Sequence, residues 1–209
     1  MTRISIPMPN RLSRRAVLAG LGGLAATLML PVPQARAISA SAATALVDKV
    51  VKEINQVINS GRPEAQMIAQ FETMLRRYAD VPTIARSCLG PAAREVSSAQ
   101  LAAYTDAFAG YVARKYGKRF REFLGSEIRV TGAKPYKDRY IVQTVFELRG
   151  QAPFDVDFLV TDRSGAMLFY EMVIEGVSML ATERAEIGAM LDAQRGDVSK
   201  LTAALRRAG

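Results

Sequence analysis

The chain has no histidine, no tryptophan and a single cysteine, Cys88. Without histidine there is no Ser-His-Asp or Cys-His nucleophilic site, no imidazole metal ligand and no imidazole general base. One cysteine excludes a cysteine–zinc cluster and an internal disulfide; Cys88 reads as a small buried apolar residue. The only glycine-dense stretch, Gly20-x-Gly22-Gly23, falls in a leader segment and carries no phosphate-loop meaning. Carboxylates are the remaining route to catalysis. Asp155 and Asp157 share a strand face, and Glu171 and Glu175 share a parity amid apolar neighbours. The simpler reading puts the aspartates on a watered strand face. It gives the glutamates structural bonds, to a turn or to the N-terminus of the next helix. On that reading no residue is assigned a catalytic or metal-binding role.

Residues 1–37 read as a cleavable export signal. Arg3, Arg11, Arg14 and Arg15 make a basic start, a mildly apolar stretch follows from Ala16 to Leu30, and Ala35-Arg36-Ala37 supplies small residues for cleavage. Ser13-Arg14-Arg15-Ala16-Val17-Leu18 is similar to a twin-arginine export motif, with Val17 where that motif usually has Phe. Either a twin-arginine or a standard export route ends outside the cytoplasm. The net charge of +8 owes five arginines to this segment, so the basic balance is mostly signal and argues little for a nucleic-acid partner. Residues 38–209 are expected to form one domain, large enough to bury a core without disulfide staples.

Apolar residues recur at helical spacing over 42–58 and again from Met67 to Tyr78. Asp80 is placed to cap a short helix ending at Leu89, before Gly90-Pro91. Ser97 and Gln100 form a capping-box pattern ahead of a long helix. After Gly125 the period changes to two. Strands are expected over 128–134, 139–149, 154–160 and from Met167 onward, with Asp162-Arg163-Ser164-Gly165 as a tight connection. Two helices close the chain, over 178–193 and 197–206. Helices, a strand meander, then helices make an α+β fold: a curved four-stranded antiparallel sheet packed by N- and C-terminal helices, with an apolar slot between the layers.

The run Met167-Leu168-Phe169-Tyr170-Glu171-Met172-Val173-Ile174 is apolar on nearly every position, as in a strand covered on both faces. Strand parity assigns Val142, Thr144, Phe146, Val156, Phe158, Val160, Met167 and Phe169 to the slot wall. Phe108, Tyr111 and Val112 of the long helix would face them. The basic run from Arg114 to Arg121 interleaves aromatics with charge, and on a helix separates into a solvated or docking face and a core face.

Three stretches together resemble the MlaC, or toluene-tolerance, family of the Mla pathway. They are Tyr78-Ala79-Asp80-x-x-x-Ile84-Ala85-Arg86-x-x-Leu89-Gly90, the aromatic helix from Gln100 to Phe120, and Tyr170-Glu171-Met172-x-x-Glu175-Gly176-Val177-Ser178 followed by Arg184. The chain departs from the pattern at Met167, Ala93, Glu171 and Ile187, which could reshape the slot. The resemblance implies a periplasmic carrier that holds phospholipid acyl chains between sheet and helices, with no cofactor beyond the cargo. It also implies partners: an outer-membrane lipoprotein–porin complex and an inner-membrane ABC transporter. Alternatives on the same fold are a carrier of hopanoid or other polycyclic lipid, an acid–base enzyme using Glu171, and a periplasmic chaperone.

Overall fold

Ser39 accepts a hydrogen bond from the Ala42 amide at 3.2 Å and so opens α1, Ala40–Ile58. The computed structural model describes residues 39–209; the signal assigned to residues 1–37 lies outside them. α2, Glu64–Tyr78, ends at an extended Ala79, and Asp80 caps α3, Val81–Leu89, by accepting from Thr83 N at 3.2 Å. At this joint the chain touches the sheet: Asp80 N donates to Phe169 O at 2.8 Å, and Ala79 bridges Phe169 in parallel. A 3-10 turn, Gly90–Arg94, leads to α4, Ser98–Gly117, which begins with the expected capping box between Ser97 and Gln100. The helix tightens into a second 3-10 segment, Lys118–Phe123.

The strands follow as a meander of order β1-β2-β3-β4-β5. They are β1 Glu127–Tyr136, β2 Arg139–Glu147, β3 Phe154–Thr161, β4 Leu168–Ile174 and β5 Val177–Ser178. The fifth strand was not expected from the sequence. It exists because Glu175 and Gly176 both take left-handed conformations, φ 47° and 79°, the requirement of a two-residue hairpin turn. The Glu175-to-Ser178 corner is therefore a hairpin that hands the chain to α5, Met179–Ala193; α6, Val198–Leu205, completes the fold.

α1 packs along the inner face of β1, β2 and β3, where Ala43, Val47 and Val50 join Val142, Val156, Phe158 and Val160 in one buried cluster. A second cluster lies among α3, α4, α5 and α6, centred on Tyr104, Phe108, Ile187, Leu201 and Leu205. Two cations of the basic run bind the end of the chain. Arg114 donates to the Ala208 and Leu205 carbonyls at 2.9 and 2.6 Å, and Lys118 to the Gly209 carbonyl at 2.6 Å. Cations on carbonyls at a helix C-terminus satisfy its orphan acceptors, so these residues fasten α6 to α4. Gly117 permits the approach of α2: a Cβ there would meet Ile68 Cγ1 at 2.8 Å.

Candidate functional site

Between the sheet and the helices lies an apolar cavity of about 560 Å³. The sheet supplies Phe146, Phe154, Val156, Phe158, Phe169, Met172 and Ile174; α1 contributes Val50, Ile54 and Ile58, and α2 Phe71, Met74 and Leu75. α3 adds Val81 and Ile84, α4 adds Phe108, Val112 and Tyr116, and α5 adds Met179, Leu180 and Glu183. Two aromatic pairs stiffen the wall: Phe158 meets Phe169 edge-on with centroids 5.4 Å apart, and Phe146 stacks on Phe154 at 5.4 Å. The exposed lining residues Arg119, Glu122, Gln151 and Val177 mark the open end.

A bulge in β4 explains why its sequence is apolar without alternation. Val160 pairs with Phe169, but Leu159 pairs with Glu171, Phe158 with Met172 and Val156 with Ile174, leaving Tyr170 as the extra residue. The extra residue shifts parity, so Phe169, Met172 and Ile174 all reach the cavity. Straight alternation would have grouped Phe169 with Glu171 and Val173 instead.

Of the eleven residues assigned to the slot from sequence, the structure gathers Phe146, Val156, Phe158, Phe169, Phe108 and Val112 around the cavity. Val142 and Val160 lie on the same sheet face but beneath α1, fully buried in protein. Thr144 is buried too, its Oγ1 donating to Val156 O at 2.6 Å, and Met167 packs partly buried against the same cluster. Tyr111 points the other way, into the layer of α4, α5 and α6, with its hydroxyl on Glu186. The cavity stripe of α4 runs Phe108, Val112, Tyr116, four residues apart, and Tyr111 is out of phase with it. Parity groups the residues of one sheet face, and packing decides which end of that face α1 covers.

The polar groups near the cavity are almost all engaged. Glu171 is 9% exposed and accepts from Ser178 Oγ at 2.5 Å, Leu180 N at 3.0 Å and Met172 N at 2.8 Å. It caps the N-terminus of α5, where a carboxylate is favoured. Glu175 bonds the Asp155 amide at 2.5 Å and holds the β4–β5 hairpin to β3. Asp155 and Asp157 do not line the cavity. Burial raises the Asp157 carboxyl above its ordinary value, Lys134 opposes this and Asp155 adds to it.

A charged cluster ties α4 to α5, and two of its members, Tyr116 and Glu183, also line the cavity. Lys115 Nζ bonds Glu183 Oε1 at 2.7 Å and Glu186 Oε2 at 2.5 Å, while the Tyr116 hydroxyl also donates to Glu183 Oε1. Burial alone would lower the Lys115 pKa, but its bonds to the two glutamates more than offset this and raise it. Bonds from Lys115 and then Tyr111 lower that of Glu186. Burial pushes the Cys88 thiol up to about 12, as befits an inert core residue. Among the described residues no group of three or more Cys, Asp or Glu is arranged to hold a metal ion. No helix among them is long and apolar enough to cross a membrane.

The sequence model of the family described as MlaC protein matches residues 45–207. A solved structure of similar fold is that of a phospholipid-binding protein from Ralstonia solanacearum, determined in complex with a phospholipid. It aligns with a TM-score of 0.67 at 17% identity, covering 79% of this chain and 95% of that one. At that identity the likeness speaks for a shared fold.

Proposed function

The chain belongs to the MlaC family, and from that premise and the apolar cavity we propose that it is a phospholipid carrier. Acyl chain occupies the space between sheet and helices, and the headgroup stays at the open end near Arg119, Glu122 and Val177. The observation that carries this reading is the cavity itself, walled by aliphatic and aromatic side chains and open at one end. At about 560 Å³ the cavity falls within the roughly 300–1,000 Å³ range of pockets that enclose most of a bound ligand.

The energetics suit a carrier. Each buried methylene contributes about 0.8 kcal/mol relative to water. A chain leaving a bilayer already has most of that stabilisation, so transfer into the cavity is an exchange between apolar surroundings. Such exchange sets no direction, which must come from partners. We assign these, from the family, to an outer-membrane lipoprotein–porin complex and an inner-membrane ABC transporter, with the periplasm between them. The role asks nothing of Glu171 beyond capping α5.

Protein purified without detergent, extracted with organic solvent and analysed by mass spectrometry tests the proposal. Phospholipid at a fixed ratio to protein is expected. A polycyclic lipid would replace the cargo, and recovery of no lipid would contradict the carrier reading.

A further inference from the structure

On three of the elements that wall the cavity, the lining stops at a matching depth. From the open end inward, α1 contributes Ile58, Ile54 and Val50, and the next residue of that stripe, Val47, is fully buried in protein. α4 contributes Tyr116, Val112 and Phe108, and Tyr104 beyond them is buried in the second cluster. β3 contributes Phe154, Val156 and Phe158, and Val160 beyond them lies beneath α1. From Val50 to Ile58, and from Phe108 to Tyr116, a helix rises about 12 Å. From Phe154 to Phe158 a strand rises about 13 Å. The closed end is formed by Phe158 and Phe169, whose rings meet edge-on with centroids 5.4 Å apart. Beside them is Val81, next to the Asp80 whose amide donates to Phe169 O at 2.8 Å. Behind them Val142, paired with Phe158, and Val160, paired with Phe169, are both 0% exposed. A close-packed interior of this kind yields little to a ligand pressing on it.

Resting on the carrier reading, we infer that the Phe158–Phe169 floor measures the acyl chain of the cargo and sets an upper limit to its length. The hydrocarbon core of a bilayer is about 30 Å thick, so the chains of one leaflet fill about 15 Å. The depth of the cavity is close to this, and a chain of ordinary membrane length brings its terminal methyl against the two rings. In exchange with a bilayer, each methylene that enters the cavity keeps the stabilisation it had, so length makes no difference until the floor is reached. Each methylene beyond that stays in water at the open end, and the longer lipid is disfavoured by roughly fourfold for each one.

The test loads delipidated protein from vesicles containing equal amounts of dimyristoleoyl, dioleoyl and dierucoyl phosphatidylcholine, which are all fluid and differ only in chain length. The three lipids bound are measured once exchange has levelled off. The two shorter lipids are expected in roughly their vesicle proportion and dierucoyl about tenfold or more below it, the effect of two or more methylenes left in water. Phe169→Val lowers the floor and raises the dierucoyl share severalfold. Val81→Phe adds bulk at the floor without emptying the core, moves the limit the other way, and depletes dioleoyl against dimyristoleoyl. Leu159→Ala, on the opposite face of β3 and outside the cavity lining, keeps the wild-type distribution. Bound lipid that mirrors the vesicles in the wild-type protein, or a distribution unchanged in Val81→Phe or in folded Phe169→Val, overturns the chain-length limit while leaving the carrier intact. Uptake of none of the three lipids overturns both.

Discussion

Glu171→Gln separates a structural carboxylate from a catalytic one. The native carboxylate accepts three hydrogen bonds, two of them from the first residues of the closing helix, Ser178 Oγ and Leu180 N. Glutamine keeps the shape but replaces one acceptor oxygen with an NH2 group, and removes the negative charge from a helix N-terminus. Hydrogen bonds to a charged group contribute about 1.5–3 kcal/mol, and the interaction with the helix dipole about 0.3–1 kcal/mol. Because one oxygen remains to accept, we expect a loss of about 1–3 kcal/mol, which lowers the melting temperature by about 2–4 °C for each kcal/mol in a domain of this size. Thermal unfolding followed by circular dichroism reads the shift, and lipid extracted at room temperature reads the cargo. The expected result is a melting temperature lowered by several degrees with bound lipid retained. An unchanged melting temperature would refute the capping role, and loss of lipid from a folded variant would show that Glu171 contacts the cargo.

Val112→Trp projects bulk into the cavity from α4 and should lower lipid per protein in the extraction assay. Val160→Ala, beneath α1, should cost about 1–3 kcal/mol in denaturant unfolding yet leave lipid unchanged. Gly117→Ala forces a methyl against Ile68; overpacking of about 1–3 kcal/mol should outweigh the helix-propensity gain of about 1 kcal/mol, so the denaturation midpoint falls. The pKa of Glu186 is held below its ordinary value of 4.5 by bonds from Lys115 and Tyr111. A depressed folded-state pKa contributes stability that is complete above the ordinary value and lost as pH falls through the lowered one. Melting temperature should therefore drop on acidification below that value, and Glu186→Gln should flatten this part of the profile.

Local signals in the sequence were strong where one residue decides the outcome. Asp80 and the Ser97–Gln100 pair cap helices as their spacing requires, and the period change after Gly125 marks the sheet. The family-like stretches also gain physical meaning. Tyr78 bonds Glu53 at 2.5 Å, Ala79 and Asp80 pin the α2–α3 joint to Phe169, and Glu171 with Ser178 starts the closing helix. What could not be read depended on three-dimensional packing. The β4 bulge at Tyr170 shifts the parity of every residue beyond it, and no composition signal announces a bulge inside an apolar run. The helical stripes of α1 and α2 were visible, but whether Ile54 or Phe71 faces protein or cavity depends on how far α1 reaches across the sheet. Arg114 and Lys118 looked like a solvated face because their acceptors lie some ninety residues later, at the chain end.

The central claim is that acyl chain lies between the sheet and the helices, and a phospholipid with a photoreactive group within its acyl chain tests it directly. After loading from vesicles, illumination and proteolysis, mass spectrometry locates the adducts. The account predicts them in α4 at Phe108 and Val112, on β3 at Val156 and Phe158, and on β4 from Phe169 to Ile174. Adducts confined to residues outside the cavity, such as Asp155 or Tyr136, would contradict it.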